Sequence, residues 1–285
     1  MIVAISATSA PRRIVRSTPK YLAFCVPYDL KTMKNSKAIA YVTDAHIGQK
    51  IVLSGKTESG KMHYLPEPEE HKDNLKLILD DISRRGISEL VFGGDIGTKG
   101  SNEWLFNLIG KYNFKLRMVL GNHDSFSEVS KHYSSPGSDD ELKYAYEDGS
   151  FKYIYLDSSS NFISDNQFRW LQQQLNTEKK VILFLHHPVL EIDTPLDRAG
   201  AALSARDRIR GALLHAKRET VIFCGHYHMD DDAIDGNIRQ LLTPAASYQI
   251  EKLSKEIAID EQTFGYRLIE FNGSEVSSEV VLFRR

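Results

Sequence analysis

The sequence predicts a layered α/β fold, and three observations indicate it. Short β-rich runs alternate with segments that have helical spacing. Several of the apolar runs end abruptly in glycine and polar residues, as strands do at the edge of a sheet. The dipeptides Asp148-Gly149 and Asn272-Gly273 are typical of tight β-hairpin turns. The predicted fold class is therefore α/β, with β-hairpins added late in the chain.

The first 36 residues are predicted to be an N-terminal extension, followed by a single domain over residues 37–285. Residues 1–28 contain no acidic residue, four basic residues and five Ser/Thr, which resembles the composition of a transit peptide. Met33 stands just before the first strand-like run. The extension over 1–36 is expected to be disordered, or residues 1–32 lie upstream of the true start. N-terminal sequencing of the native protein tests the start.

Within the domain, the predicted elements follow in order. The apolar run 38–43 predicts the first strand, and the Gly-, Lys-, Glu- and Pro-rich stretch 48–70 predicts a loop. A helix is predicted over 67–85, because its apolar residues are three and four apart, acidic residues come early and basic residues come late. Further strands are predicted at 89–93, 115–120, 180–185 and 220–224, further helices at 102–112, 165–176 and 204–217, and hairpins at about 143–157, around Asp235-Gly236-Asn237 and around Asn272-Gly273.

Composition excludes several classes of protein. Hydrophobic residues make up 41% and charged residues 26%, the balance of a soluble globular protein, and no apolar run is long enough to span a bilayer. Thirty-six basic residues against 38 acidic ones give a net charge of −2, without the basic excess that a nuclease or another nucleic-acid binder needs. Two cysteines are too few for a disulfide framework and indicate a reducing, cytoplasmic location. No membrane or nucleic-acid partner is expected, and the oligomeric state stays open.

Five apolar runs end in clusters of residues that can bind metal ions. In chain order the clusters are D-x-H (Asp44, His46), G-D (Asp95), G-N-H-D (Asn122, His123, Asp124), H-H-P (His186, His187) and G-H-x-H (His226, His228). Because ligands of open α/β sheets bind beyond the carboxyl ends of the strands, we expect these clusters to meet at one edge.

The donor set of these clusters favours particular metal ions. Leaving out His123, Asp124 and His187, it holds four imidazoles, two carboxylates and one amide, which suits Mn, Fe or Zn better than Mg or Ca. Seven ligands exceed what one tetrahedral ion needs and suit two divalent or trivalent ions that share a carboxylate. Such a pair attracts a phosphate oxyanion and lowers the pKa of bound water from about 15.7 to about 7.

The ordered set of five motifs resembles the calcineurin-like metallophosphoesterase superfamily. Within it the sequence is most similar to the class III cyclic-nucleotide phosphodiesterases and the related glycerophosphodiesterases. The further stretches that carry this similarity are Leu156-Asp157-Ser158 with Gln167, Trp170 and Leu171, then His186-His187-Pro188, and then Leu196-Asp197-Arg198. The resemblance implies a layered β-sandwich flanked by helices, with C-terminal β-hairpins.

The resemblance also implies a role for each site residue. It assigns Asp44, His46 and His228 to the first metal ion, Asn122, His186 and His226 to the second, and Asp95 to a bridging position. His123 would contact the phosphate and the leaving oxygen, oriented by Asp124, and His187 would be structural. Three positions depart from the pattern of relatives: Thr98 replaces the tyrosine of iron-tyrosinate members, which argues against a purple Fe(III) site, and Arg206 and Ser125 leave the substrate open.

The expected function is a dinuclear-metal hydrolase that cleaves a small-molecule phosphodiester by attack of a metal-bridging hydroxide. A cyclic nucleotide is the first candidate substrate and a glycerophosphodiester the second. In this mechanism His123 stabilises or protonates the departing alkoxide. The alternatives are a phosphomonoesterase or pyrophosphatase and, less favoured because all seven ligands are present, a non-catalytic scaffold. The histidines without a motif, His63, His71, His132 and His215, are predicted to lie in solvent.

Overall fold

Two β-sheets lie at the centre of the protein, for which a computed structural model describes residues 14–17, 21–24, 37–54, 61–66, 69–134 and 140–285. The larger sheet has seven strands in the spatial order β1 (Ile14–Ser17), β2 (Tyr21–Phe24), β17 (Glu275–Arg284), β16 (Thr263–Asn272), β3 (Lys37–Val42), β6 (Glu89–Phe92) and β7 (Lys115–Met118). The smaller sheet has six strands in the order β12 (Asp231–Asp235), β13 (Ile238–Leu242), β11 (Thr220–Cys224), β10 (Lys180–Phe184), β9 (Phe151–Tyr155) and β8 (Tyr144–Asp148).

Parallel strands form the middle of the smaller sheet and one side of the larger sheet, where β7 is the edge strand, and the remaining strands pair antiparallel. Strands β3, β6 and β7 are mutually parallel neighbours, as are β9, β10, β11 and β13. The predicted hairpins are present as β8–β9, β12–β13 and β16–β17. Two further small sheets pair β4 (Gln49–Ser54) with β5 (Lys61–Pro66) and β14 (Gln249–Ile250) with β15 (Ile259–Asp260).

Helices cover the outer faces of the sheets. They are α1 (Glu70–Arg84), α2 (Ser101–Ile109), α3 (Phe126–Val129), α4 (Asp165–Gln174), α5 (Pro195–Arg198) and α6 (Arg206–Ala216). The helical spacing that predicts α1 is confirmed, because Leu75, Ile78, Leu79 and Ile82 are all fully buried. Ser164 caps the N-terminus of α4, because its hydroxyl accepts a hydrogen bond from the Gln167 N–H. No helix within the described ranges combines the length and the apolar character needed to cross a bilayer.

Strand β10 shows how the layers are held together. Ile182 and Phe184 belong to the hydrophobic cluster between the sheets, whereas Val181 and Leu183 belong to the cluster under α4 and α6. This alternation buries both faces, as expected for a central parallel strand. Phe184 packs on Tyr41 of the other sheet, with ring centroids 5.6 Å apart. The predicted layered α/β sandwich, with hairpins towards its C-terminal end, is confirmed.

The loop predicted over residues 48–70 is wrong in part, because β4 and β5 form a hairpin there. Its register sets Ile51 opposite Tyr64 and Gln49 opposite Pro66. The apolar alternation is too short to outweigh the Gly- and Pro-rich composition, and Ile51 is buried by contacts that the local sequence does not show.

Of the predicted extension over 1–36, only β1 and β2 lie within the described residues. They add two strands to the sheet margin, where Ala23 is opposite Phe283 of β17. The rest of the extension, Cys25 included, lies outside the described residues. The domain boundary at residue 37 and the start at Met33 stay predictions.

Candidate metal centre

The five clusters follow the ends of five strands, three from one sheet and two from the other. Asp44 and His46 follow β3, Asp95 follows β6, and residues 122–124 follow β7. His186 follows β10, and His226 and His228 follow β11. Three groups of potential ligand atoms form there, each with all atoms within 4.8 Å: Asp44, His46 and His228; His46, Asp95 and His123; and Asp95, His186 and His226. The predicted convergence therefore occurs, but across the two sheets of the sandwich.

Asp95 lies between the groups. Its Oδ2 is 3.3 Å from His186 Nε2 and 3.5 Å from His46 Nε2. Asp44 Oδ1 is 3.2 Å from His228 Nε2, and the Nε2 atoms of His46 and His228 are 3.2 Å apart. A carboxylate oxygen placed between two imidazole groups in this way suits a bridging ligand for two cations.

Main-chain carbonyls orient three of the histidines. His186 Nδ1 donates to the Gly93 carbonyl at 2.8 Å, His228 Nδ1 to the Tyr248 carbonyl at 3.0 Å, and His226 Nε2 to the Ala201 carbonyl at 2.9 Å. Because a carbonyl only accepts, each of these ring nitrogens carries a hydrogen. In the neutral ring the other nitrogen keeps the lone pair that binds a metal ion.

Two buried atoms of the centre test whether a metal ion fits. Asp44 Oδ1 and His186 Nε2 have no hydrogen-bond partner among the described residues, although buried polar atoms are almost always satisfied. Both are preferred ligand atoms for Zn, Mn and Fe. The donor set and these two atoms together fit a metal ion at this position.

Burial and charge set the protonation of the centre. Burial lowers the pKa of His46 to about 3 and that of His226 to about 4, so both rings are neutral. Burial alone would raise the pKa of Asp44 and Asp95, but the neighbouring histidines hold both values below the usual range. Burial also opposes a charge on His186, but Asp95 and Asp44 outweigh it and raise the pKa of His186 to about 10. The centre therefore presents ionised carboxylates and the neutral rings of His46 and His226, and His186 must release a proton when it binds a metal ion.

The backbone is strained at the ligand positions. Five of the seven predicted ligands have a left-handed φ, namely Asp44, His46, Asp95, His226 and His228, with values from 42° to 67°. This conformation costs about 1–2 kcal/mol for a residue other than glycine. Non-glycine residues in it cluster at functional sites, where the surrounding structure holds them.

Two glycines allow the turns to approach the carboxylates. A Cβ atom at Gly121 would collide with the Asp95 carboxylate, and one at Gly225 would collide with Thr43 and the Asp44 carboxylate. The glycines in the G-N-H-D and G-H-x-H motifs are therefore required by the close packing of these turns.

The predicted residues after β7 are placed differently from one another. The His123 N–H donates to Asp95 Oδ1 at 2.8 Å, and its ring belongs to one ligand group. Asn122 is exposed, and as an amide it lies outside groups composed of imidazoles and carboxylates, so its ligand role stays a prediction. His187 is buried, with Nδ1 2.9 Å from Ser158 Oγ and its ring centroid 4.2 Å from that of His226.

Asp124 is expected to orient the His123 ring, but it does not contact that ring. Its two oxygens accept hydrogen bonds from the main-chain N–H groups of Asp95, Ile96 and Gly121, at 2.7–2.9 Å. These bonds tie the turn after β6 to the turn after β7. The carboxylate therefore holds the two turns together, and the His123 ring is oriented by other residues.

Sequence reasoning missed four residues that line the centre. Gln49 and Tyr64 come from the β4–β5 hairpin, and the Tyr64 ring is 4.8 Å from the His123 ring. The Tyr248 ring is 4.4 Å from the His228 ring. His71 is not in solvent as predicted; it is 4% exposed, and its Nδ1 donates to the His46 carbonyl at 2.8 Å. None of the four residues belongs to a motif. Each is recognised as part of the site only by its short distance to the site histidines in the folded protein.

Comparison with known proteins decides the family. Residues 37–230 match the family described as calcineurin-like phosphoesterase. The chain belongs to this family. As a calcineurin-like phosphoesterase it is a metal-dependent phosphoester hydrolase that uses divalent metal ions, and the predicted enzyme class is confirmed.

Curated relatives support the resemblance to phosphodiesterases. This calcineurin-like phosphoesterase is 27% identical to a probable glycerophosphodiester phosphodiesterase GpdQ of Arcobacter nitrofigilis, over 74% of this chain and 79% of that protein. It is 22% identical to a probable cyclic nucleotide phosphodiesterase of Fibrobacter succinogenes, over 89% of this chain and 97% of the relative. A dimetal phosphatase structure from Danio rerio shares the fold, with a TM-score of 0.57, 12% identity, and coverage of 86% of this chain and 98% of the other.

Proposed function

We propose that the protein hydrolyses a phosphodiester of a small molecule at a centre of two metal ions, with a cyclic nucleotide as the first candidate substrate and a glycerophosphodiester as the second. The observation that carries the proposal is the position of the Asp95 carboxylate between His46 and His186, at 3.5 and 3.3 Å. The names of the curated relatives support the diester class.

The residues present fit a pair of ions. Asp44, His46 and His228 would hold one, and Asn122, His186 and His226 the other, with Asp95 between them. Bound there, Mn, Fe or Zn ions would neutralise phosphate charge and supply an activated water as the nucleophile. The buried carboxylates would set the net charge of the loaded centre to about +2, which favours a phosphate anion.

His123 would act on the substrate itself. Its main-chain N–H is fixed on Asp95, and its ring packs edge-on against His46 and Tyr64 at 4.9 and 4.8 Å. A ring N–H held in this position would donate to a phosphate or leaving oxygen and stabilise the negative charge that develops there. Asp124 would keep this turn in place through its three main-chain hydrogen bonds.

Elemental analysis combined with a substrate panel tests the proposal. The purified protein should contain close to two equivalents of transition metal after loading. It should hydrolyse bis-p-nitrophenyl phosphate faster than p-nitrophenyl phosphate, and cAMP or glycerophosphocholine should be turned over. Faster hydrolysis of the monoester would instead support the phosphomonoesterase or pyrophosphatase alternative. A protein that binds metal but cleaves nothing in the panel would support a scaffold.

A further inference from the structure

The Gln49 side chain lies between two histidines with different tasks. Its Oε1 is 3.3 Å from His46 Nδ1, and its Nε2 is 3.4 Å from His123 Nδ1. The main chain fixes the glutamine, because the Gln49 N–H donates to the His46 carbonyl at 3.0 Å. Gln49 is the first residue of β4, so the hairpin delivers this amide to the centre.

The chemistry of His46 decides which way the amide faces. His46 Nε2 lies 3.2 Å from His228 Nε2 and 3.5 Å from Asp95 Oδ2, so Nε2 is the nitrogen that would bind the metal ion. A neutral imidazole that binds through Nε2 carries its hydrogen on Nδ1. That Nδ1–H needs an acceptor. Of the two ends of the Gln49 amide, the oxygen accepts and the NH2 group only donates, so the oxygen faces His46 and the NH2 group is turned towards His123.

The same amide then determines where His123 carries its hydrogen. An NH2 group only donates, so the His123 nitrogen facing it must accept, and the hydrogen of the neutral ring is on Nε2. The His46 and Tyr64 rings meet the His123 ring edge-on, with interplanar angles of 76° and 74°. These contacts oppose a rotation of the ring that would exchange the two nitrogens.

We propose that Gln49 is a positioning residue that fixes His123 as its Nε2–H tautomer, so that His123 offers the substrate a hydrogen-bond donor. This inference rests on the proposed function, because it takes His46 as a metal ligand. The same Gln49 amide thus connects metal binding with substrate contact, because it accepts a hydrogen bond from His46 and orients His123. Of the two roles left open for His123, stabilising and protonating the leaving oxygen, the arrangement favours the first.

Nitrogen NMR of the zinc-loaded protein, labelled with ¹⁵N-histidine, reads the tautomer directly. In the wild type we expect the His123 hydrogen on Nε2. In Gln49→Glu the carboxylate only accepts, so the His123 hydrogen should move to Nδ1. Gln49→Leu makes no hydrogen bond, and the tautomer preference should be lost. A wild-type ring with its hydrogen on Nδ1, or an unchanged ring in Gln49→Glu, overturns the proposal.

Kinetics at saturating metal separate orientation from general damage. Gln49→Leu and Gln49→Glu should lower kcat on bis-p-nitrophenyl phosphate by about 10–100-fold, the usual effect of removing such a supporting partner. In a His123→Ala background, Gln49→Leu should cost much less than in the wild type, because only the contact with His46 remains to be lost. An equal loss in both backgrounds would show a merely structural role and would contradict the proposal.

A matched control and the wild type keep the outcomes distinct. Lys50→Gln changes the next residue of the same hairpin, which makes an exposed ion pair with Glu261 at 2.9 Å, and should keep the wild-type tautomer and kcat. A wild type without metal or diesterase activity defeats the proposed function. An active wild type whose Gln49 variants keep both tautomer and kcat defeats only the role of Gln49.

Discussion

At the scale of single residues, different atoms of one side chain in the centre have different partners. The His186, His226 and His228 rings each give one nitrogen to a main-chain carbonyl and keep the other for the centre. Asp95 likewise accepts from the His123 N–H with Oδ1 and faces two imidazoles with Oδ2. A substitution can therefore remove metal binding, substrate contact or orientation, depending on which atom is lost.

Asp95→Asn should lose metal and activity together. The amide has no negative charge with which to bridge two cations, and it leaves the buried His186 without its nearest carboxylate. Elemental analysis and the bis-p-nitrophenyl phosphate assay check this expectation. Asp232→Asn, which changes a half-exposed carboxylate on β12, should keep both metal and activity. A full complement of metal in Asp95→Asn would contradict the bridging role.

His123→Ala should instead separate the two properties. Because its ring would touch the substrate and is not assigned to hold an ion, turnover should fall by about 10²–10³-fold, as for other lost transition-state donors. The metal content should not change. Steady-state kinetics and metal analysis on the same sample measure both, and full activity in the variant would eliminate the role of His123.

At the scale of elements, the turns after the strands set the spacing of the ligands. Asp124 joins the turn after β6 to the turn after β7, and the His186 ring joins β10 to the Gly93 carbonyl. The sequence predicted these turns well, since each motif follows an apolar run and glycine marks the close approach. It could not predict the β4–β5 hairpin. Residues of this hairpin line the site only because they contact residues that are far away in the sequence.

Gly225→Ala should damage both the fold and the centre. The new methyl group would collide with Thr43 and the Asp44 carboxylate, and overpacking of this kind lowers the free energy of unfolding by about 1–3 kcal/mol. Metal affinity should fall with it. The control is Gly211→Ala on α6, where a Cβ meets nothing within 4 Å and the free energy of unfolding should rise by about 0.4–1 kcal/mol. Denaturant titration compares the two variants.

At the scale of the whole molecule, the centre joins the two halves of a sandwich. Three of the contributing strands belong to the seven-stranded sheet and two to the six-stranded sheet. The sequence predicted that the clusters meet, because strand ends are recognisable locally. It could not predict which strands share a sheet, because that depends on packing between sheets, as in the contact of Tyr41 with Phe184.

Metal loading should therefore stabilise the entire fold. A ligand that binds only the folded state at 100 times its Kd adds about 2.7 kcal/mol to the free energy of unfolding. For a domain of this size the midpoint of thermal unfolding should rise by about 5–10 °C. Calorimetry of the chelator-treated and the reloaded protein measures the rise. In Asp95→Asn the two curves should coincide; an equal rise there would place the stabilising metal elsewhere.

The left-handed conformations at five of the ligand positions have a consequence for how the enzyme can diversify. The positions of the potential ligands are set by the main chain and its carbonyl groups. Neighbouring side chains can therefore be substituted without disturbing these positions. A residue such as Tyr64, which lines the centre without belonging to the ligand groups, can thus be exchanged while the main-chain turns keep the potential ligands in place. The same arrangement of ligand residues can therefore be combined with different side chains around it, each set favouring a different substrate.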